Sequence, residues 1–261
     1  MTALAILSPM SITQYKEINM LIDEFKMKIV QTLDQNLVGL YLTGSLSYDD
    51  FVLGRSDLDF QVVVKLPLSP TEIIEVEKLH RYIEDTNPTW SKRIECSYTP
   101  QSMLSHILPP TDPRPWWGAG IIYPKAPYGN EWIINQYQLY NHALALIGPD
   151  FKSLTNPISI QDVQKACVRD LFQEWKPKIQ YLDNLDSHNR SYIVLNLCRI
   201  LYTVSQSAVS SKNVSAAWVK TTFPQWKDLV ETAERWVYDT EMSHHEETKE
   251  FIRFVVSEAR K

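Results

Sequence analysis

The sequence predicts an α+β protein: a mixed sheet with flanking helices in the N-terminal half, followed by an all-helical C-terminal half. Three observations point there. Short runs rich in apolar and β-branched residues fall before residue 100, namely LVGLYLT, DLDFQVVVK and RIECSY. A proline-rich stretch at 109–127, PPTDPRPWWGAGIIYPKAP, then interrupts regular structure. Beyond it the apolar residues recur at helical spacing. At 261 residues the chain exceeds the usual single core of about 150, so two domains are expected, 1–155 and 156–261.

The elements follow in order. Ile18, Leu21, Ile22, Phe25 and Ile29 lie on one helical face, which gives a helix over roughly 11–35. Leu37 to Leu42 reads as a buried strand that breaks at Thr43-Gly44-Ser45. After the loop LSYDDFVLGRS, residues 57–65 form a second strand. Ser69-Pro70-Thr71-Glu72 is a helix start, with Ser69 as cap, Pro70 in the first turn and Glu72 closing a capping box, and the helix runs to about Asp85. Arg93 to Tyr98 is a third strand, and 109–127 is a connection between the two parts. Helices are expected over Glu131–Leu146, Ile160–Leu182, Ser191–Ser205, Val214–Trp218, Trp226–Tyr238 and Glu246–Ala259.

Composition narrows the function classes. With 44% hydrophobic and 11% aromatic residues the chain can bury a core. A net charge of −5 with no basic tract argues against a partner whose phosphates must be tracked, so nucleic acid is not expected. The three cysteines, Cys96, Cys167 and Cys198, are too scattered for a disulfide framework. His244-His245 sits in the charged run HHEETKE, which reads as a solvated helical face rather than a metal site. The apolar start MTALAILSPM lacks a basic beginning and meets Pro9 early, unlike a secretory signal. No stretch approaches the ~20 apolar residues of a membrane span. The expectation is a soluble, cytoplasmic monomer.

The chemistry resides in carboxylates. Side chains alternate along a strand, so Asp57 and Asp59 share one face while Leu58 takes the other, their Cα atoms about 6.5 Å apart at two rises of about 3.3 Å. Two carboxylates that close repel each other and resist burial, and a divalent cation relieves both effects. Glu95, flanked by the core-facing Ile94 and Cys96, adds a third acid on the next strand. Gly44-Ser45 lets backbone approach a ligand closely and offers N–H groups and a hydroxyl to phosphate. Mg2+ favours carboxylates together with phosphate oxygens, so the set suits a metal-bound triphosphate. An Asp-x-Asp alone is more often a loop or strand edge, and a lone Gly-Ser is weaker still. The specific signal is the ordered set: strand, Gly-Ser, 11 residues, Asp-x-Asp opening a strand, helix, then a strand carrying Glu.

That order resembles the nucleotidyltransferase superfamily of DNA polymerase β. YIVLNLCRILYTV (192–204), SSKNVSAAW (210–218), FPQWKDLVETAERW (223–236) and ALALIGPD (143–150) resemble the aminoglycoside adenylyltransferases that modify streptomycin and spectinomycin. The resemblance implies a polymerase-β-like nucleotidyltransferase domain followed by a helical bundle. It also implies two Mg2+ ions on Asp57, Asp59 and Glu95, with Glu95 as catalytic base and ATP as co-substrate. Gly44, Ser45 and Ser56 would then hold the triphosphate, Arg199 and Lys212 would reach its phosphates, and Glu131 would contact the nucleotide. Trp116 or Trp117 would supply an aromatic wall for the acceptor. The implied reaction is transfer of AMP to a hydroxyl of an aminoglycoside-type antibiotic, which confers resistance. The chain departs from the family where an acidic drug contact is expected: it reads Ser187-His188-Asn189-Arg190, with Asp183 and Asp186 nearby but out of register. Asp186 and Asn189 are carried as substrate candidates, and Trp175 and Tyr181 lie in the same region. The alternatives are another small-molecule or protein hydroxyl as acceptor, or a nucleotide-binding module without catalysis.

Overall fold

The structure, a computed structural model, describes residues 12–48 and 50–260. The apolar run at 1–10 and the first residue of the expected 11–35 helix lie outside the described residues. The chain divides into two compact units. One comprises Met1–Phe51 with Ser56–Pro157, and the other comprises Val52–Arg55 with Ile158–Lys261.

In the first unit, helix α1 (Lys16–Leu33) precedes strand β1 (Leu37–Thr43), which leads through the tight turn Gly44–Tyr48 to β2 (Leu58–Val64). Helix α2 (Pro70–Thr86) follows, then β3 (Ile94–Pro100), β4 (Arg114–Gly118), β5 (Ile121–Ala126), helix α3 (Glu131–His142) and β6 (Leu144–Ile147). Among the described residues these strands form one mixed sheet in the order β5-β4-β3-β2-β1-β6, with β2 and β3 parallel and the other pairs antiparallel. Period-two alternation sends Leu40, Leu42, Leu58, Phe60, Val62, Ile94, Cys96, Tyr98 and Trp117 into one core with Ile18, Leu21, Ile22, Phe25 and Ile29 of α1 and Val76, Leu79 and Ile83 of α2. Phe25 stacks on Phe60, ring centroids 4.5 Å apart. The capping box forms as the sequence predicts, with Ser69 Oγ accepting from Glu72 N at 3.3 Å and Glu72 Oε2 from Ser69 N at 2.8 Å.

In the second unit α5 (Ser187–Gln206) is central. It packs against α4 (Ile160–Asp170), α6 (Lys212–Thr222), α7 (Lys227–Arg235) and α8 (His245–Glu258). Its buried Ile193, Val194, Leu197, Cys198 and Leu201 form the seam. Four residues from far upstream join this unit: Gly54 O accepts from Tyr238 N at 3.0 Å, and the Arg55 guanidinium donates to Glu234 O and to Asn213 Oδ1.

Three expectations are corrected. The helix from Glu131 stops at His142, and 144–147 form β6, which pairs with Leu40–Leu42 of β1. This non-local pairing overrides a short apolar run that fits either period. The proline-rich stretch is no simple connection: β4 and β5 form a hairpin at the sheet edge, turning at Ala119-Gly120, both with positive φ (52° and 76°). Pro124 sits on the edge strand, and Pro115 lies where the β4–β5 register shifts, both places where a missing N–H is tolerated. The helix from Ile160 ends at Asp170 and continues as a π turn (171–175) and a 3-10 turn (176–180). Pro177, at the start of that last turn, has no N–H to continue the α ladder.

Candidate active site

At the mouth of the sheet, β2 and β3 run parallel and place Asp59 directly beside Glu95, one strand spacing of about 4.8 Å away. Asp59 also pairs with Thr43, the last residue of β1, so the Gly44 turn opens immediately above it. Gly44 has φ +65°, and an added Cβ would overlap the Asp59 carboxylate. This position therefore requires glycine twice, for its backbone angle and for the oxygen pressed against it. Ser47 Oγ donates to Gly44 O at 2.8 Å and Asp50 N to Ser45 O at 3.0 Å, closing the turn. Among the described residues Ser45 Oγ, which is buried, has no hydrogen-bond partner, and a buried hydroxyl of that kind normally has one.

Asp57 lies one residue ahead of β2, on the side of Asp59 and opposite the fully buried Leu58. Its Oδ1 stands 3.8 Å from Arg93 Nε, and its side chain keeps 24% exposure. Ser56 is tied to the same arginine through its carbonyl, which accepts from Arg93 at 2.6 Å.

Among the described residues, no group of three His, Cys, Asp or Glu side chains is gathered to hold a metal unaided. The donor set nevertheless fits Mg2+ in its usual mode, in which one or two carboxylates share the ion with phosphate oxygens. Asp59 and Glu95 are in register, Asp57 is beside them, and the orphaned Ser45 hydroxyl and the glycine turn border the same spot.

The remaining candidates separate. Glu131 starts α3, and its Oε1 accepts from Gly129 N at 2.9 Å. Trp116 pairs with Ser97 and so shares the sheet face of Glu95, its ring 5.2 Å from that of Tyr123. Trp117, the other candidate for the acceptor wall, is corrected: it is fully buried, stacked on His80 at 4.7 Å, and donates from Nε1 to Glu84 Oε1 at 2.9 Å. Alternation along β4 sends one indole to each face, and Trp117 takes the core.

Arg199, Lys212, Asp186 and Asn189 belong to the second unit. Asp186 caps α5, accepting from Asn189 N at 2.8 Å and Asn189 Nδ2 at 2.9 Å. Burial would raise its pKa, but these bonds, with His188 and Arg190 nearby, hold it below the usual carboxylate value. Arg199 lies half-buried on α5, 3.5 Å from Asn196 Oδ1. Lys212 begins α6, and its ammonium lies 4.7 Å over the Tyr192 ring. Tyr192 neighbours Trp175 and His188, and His188 stacks on Tyr238 at 5.3 Å. The departing segment 187–190 has structural work of its own. Arg190 donates to Met242 O at 2.7 Å and to Leu185 O, and Ser187 Oγ accepts from Met242 N at 2.9 Å.

Sequence reasoning missed two residues on the acid face. Arg93 lies two positions before Glu95, so alternation alone could have placed it there. Arg114 donates to Ser97 Oγ at 3.0 Å and lies 4.1 Å over Tyr128, but it sat within the stretch read as a connection.

Residues 153–261 match the family model of the aminoglycoside adenylyltransferase C-terminal domain. A curated aminoglycoside (3'') (9) adenylyltransferase of Rhizobium radiobacter is 30% identical over 122 residues, which cover 45% of this chain and 43% of that relative. The aligned stretch thus spans less than half the relative's length. Among solved structures, the spectinomycin adenyltransferase AAD(9) of Enterococcus faecialis, crystallised with ATP and spectinomycin, superposes with a TM-score of 0.72 at 22% identity. It covers 93% of this chain and 99% of that one, and establishes that the two share an α+β fold. No helix among the described residues is long and apolar enough to cross a membrane.

Proposed function

We propose that this protein transfers AMP from ATP to a hydroxyl of an aminoglycoside-type antibiotic, streptomycin or spectinomycin, with Mg2+ as cofactor. The observation that carries the reading is the in-register Asp59–Glu95 pair pressed against the Gly44 turn. The name of the curated relative, the ATP and spectinomycin bound to the fold neighbour, and the match of residues 153–261 to the aminoglycoside adenylyltransferase C-terminal domain support it.

Asp57, Asp59 and Glu95 would hold the metal, which would supply positive charge against that developing on the phosphates. Glu95 takes the proton of the acceptor hydroxyl as that oxygen attacks the α-phosphorus of ATP. The bond from the α-phosphorus to the bridging oxygen breaks, pyrophosphate leaves, and AMP remains on the acceptor. Gly44, Ser45 and Ser56 bind the triphosphate through backbone N–H groups and hydroxyls. Arg199 and Lys212 supply fixed positive charge for the leaving pyrophosphate. Glu131 contacts the nucleotide. An indole face and carboxylates suit a polycationic acceptor, and Trp116 of the first unit and Asp186 and Asn189 of the second are the candidates for its contacts.

The test is a panel of aminoglycosides incubated with ATP and Mg2+ and read by mass spectrometry for an AMP adduct, with Asp57→Asn as control. An adduct on streptomycin or spectinomycin, lost in the variant, is expected. Equal turnover by Asp57→Asn would remove that residue from the site, and no adduct on any member would defeat the proposed acceptor class.

A further inference from the structure

A buried cation stands behind the carboxylates. Arg93 is 7% exposed, and its guanidinium lies 4.5 Å over the Trp90 ring. One nitrogen donates to Ser56 O at 2.6 Å, another to Thr89 O at 3.4 Å, and Nε faces Asp57 Oδ1 at 3.8 Å. The backbone of the same residue is equally engaged: Arg93 O accepts from Leu58 N at 2.9 Å, and Arg93 N donates to Trp90 O at 3.0 Å.

These contacts have a common target. The Ser56 carbonyl belongs to the peptide group before Asp57, and the Leu58 N–H belongs to the one after it. Arg93 therefore grips both peptide groups flanking Asp57, one with its side chain and one with its main chain, while its charge faces the carboxylate between them. Two residues further on, β3 presents Glu95. A single side chain thus ties the segment bearing one acid to the strand bearing another.

We propose that Arg93 is the positioning residue of the metal site, setting the backbone and charge environment in which Asp57 meets a divalent ion. This rests on the reading of Asp57, Asp59 and Glu95 as metal-binding. A buried guanidinium needs a compensating charge, and Asp57 supplies it, so the pair persists before any metal arrives. With its carboxylate restrained on the arginine side, Asp57 has less rotamer freedom to lose when it turns its exposed edge to the ion. Lysine cannot substitute fully, because a point ammonium cannot donate to Ser56 O and Thr89 O while also facing Asp57.

The experiment titrates Mn2+ into wild type, Asp57→Asn, Arg93→Met and Arg93→Lys, each saturated with a non-hydrolysable ATP analogue, with protein-bound metal read by electron paramagnetic resonance against a protein-free control and melting temperature recorded alongside. Partners of this kind typically change metal affinity by roughly 10–100-fold. Arg93→Met should weaken Mn2+ binding by that amount at temperatures where it is folded, and Arg93→Lys should fall between it and wild type. A purely structural role would lower the melting temperature and leave Mn2+ affinity within about twofold of wild type, and that result overturns the proposal. If Arg93→Met does not fold, Arg93→Lys decides by the same criterion. Wild type that fails to bind Mn2+, or Asp57→Asn that binds it equally well, would remove the metal site itself and the proposal with it. Unaltered affinity in the Arg93 variants with loss in Asp57→Asn removes Arg93 alone.

Discussion

The same two strands, β2 and β3, carry two faces that differ in almost everything except backbone. On one, Leu58, Phe60, Val62, Ile94, Cys96 and Tyr98 are sealed beneath α1 and α2. On the other, Asp59 and Glu95 stand side by side at the sheet mouth, half-buried, with Gln61 and Ser97 behind them. Each covered side chain contributes transfer free energy of about 1.5–3 kcal/mol. The acids contribute like-charge proximity, which opposes folding. One face therefore supplies the stability against which the other can hold groups that would not cluster on their own.

Substitutions on the two faces should have opposite signatures. Glu95→Gln should lower turnover by roughly 10²–10⁴-fold, the usual scale for a lost general base, with a denaturation midpoint at or above wild type. Phe60→Ala, one position along the neighbouring strand on the covered side, should cost about 3–5 kcal/mol while the folded fraction keeps its specific activity. Paired adenylylation assays and urea melts check both, and a stable but inactive Phe60→Ala would erase the distinction between the faces.

The covered face also contains a titration. His80 is fully buried, its Nε2 2.8 Å from Tyr98 Oη. Burial lowers its pKa from 6.5 to about 3. Below pH 6.5 the unfolded chain binds a proton that the folded chain refuses, so this contribution to stability is intact above 6.5 and declines as pH falls toward 3. Its slope is up to about 1.4 kcal/mol per pH unit, or about 2 kcal/mol between pH 7 and pH 5. His80→Gln should flatten the fall in urea midpoint over that interval, and an unchanged slope would assign the acid sensitivity elsewhere. The smallest effect is at the edge of this face: Ser69→Ala removes the α2 cap and should cost about 1 kcal/mol with activity untouched.

What the sequence made legible follows from locality. Asp57, Leu58 and Asp59 divide by strand alternation, Ser69 and Glu72 close a cap three residues apart, and Gly44 marks a turn only glycine tolerates, so each could be read from neighbours. The strand at 144–147 could not, because its pairing with β1 joins residues about a hundred positions apart, and four apolar residues fit either period. The hairpin was hidden by prolines that are compatible with an edge. Trp116 and Trp117 were indistinguishable until the register of β4 against Ser97 and Cys96 assigned each a face. Alternation could place Arg93 on the side of Glu95, but its contacts to the Ser56 and Thr89 carbonyls are backbone contacts that no side-chain pattern records.

The placement of Val52–Arg55 has a consequence for biosynthesis. Arg55 reaches the carbonyl of a residue 179 positions later. At a translation rate of roughly 5–20 residues per second, those four residues emerge on the order of ten to forty seconds before their anchors at Asn213, Glu234 and Tyr238. A nascent chain can form most of its sheet during that interval, yet Val52–Arg55 lack these anchors until Asn213, Glu234 and Tyr238 have been made. A fragment ending at residue 157 would keep that condition permanently.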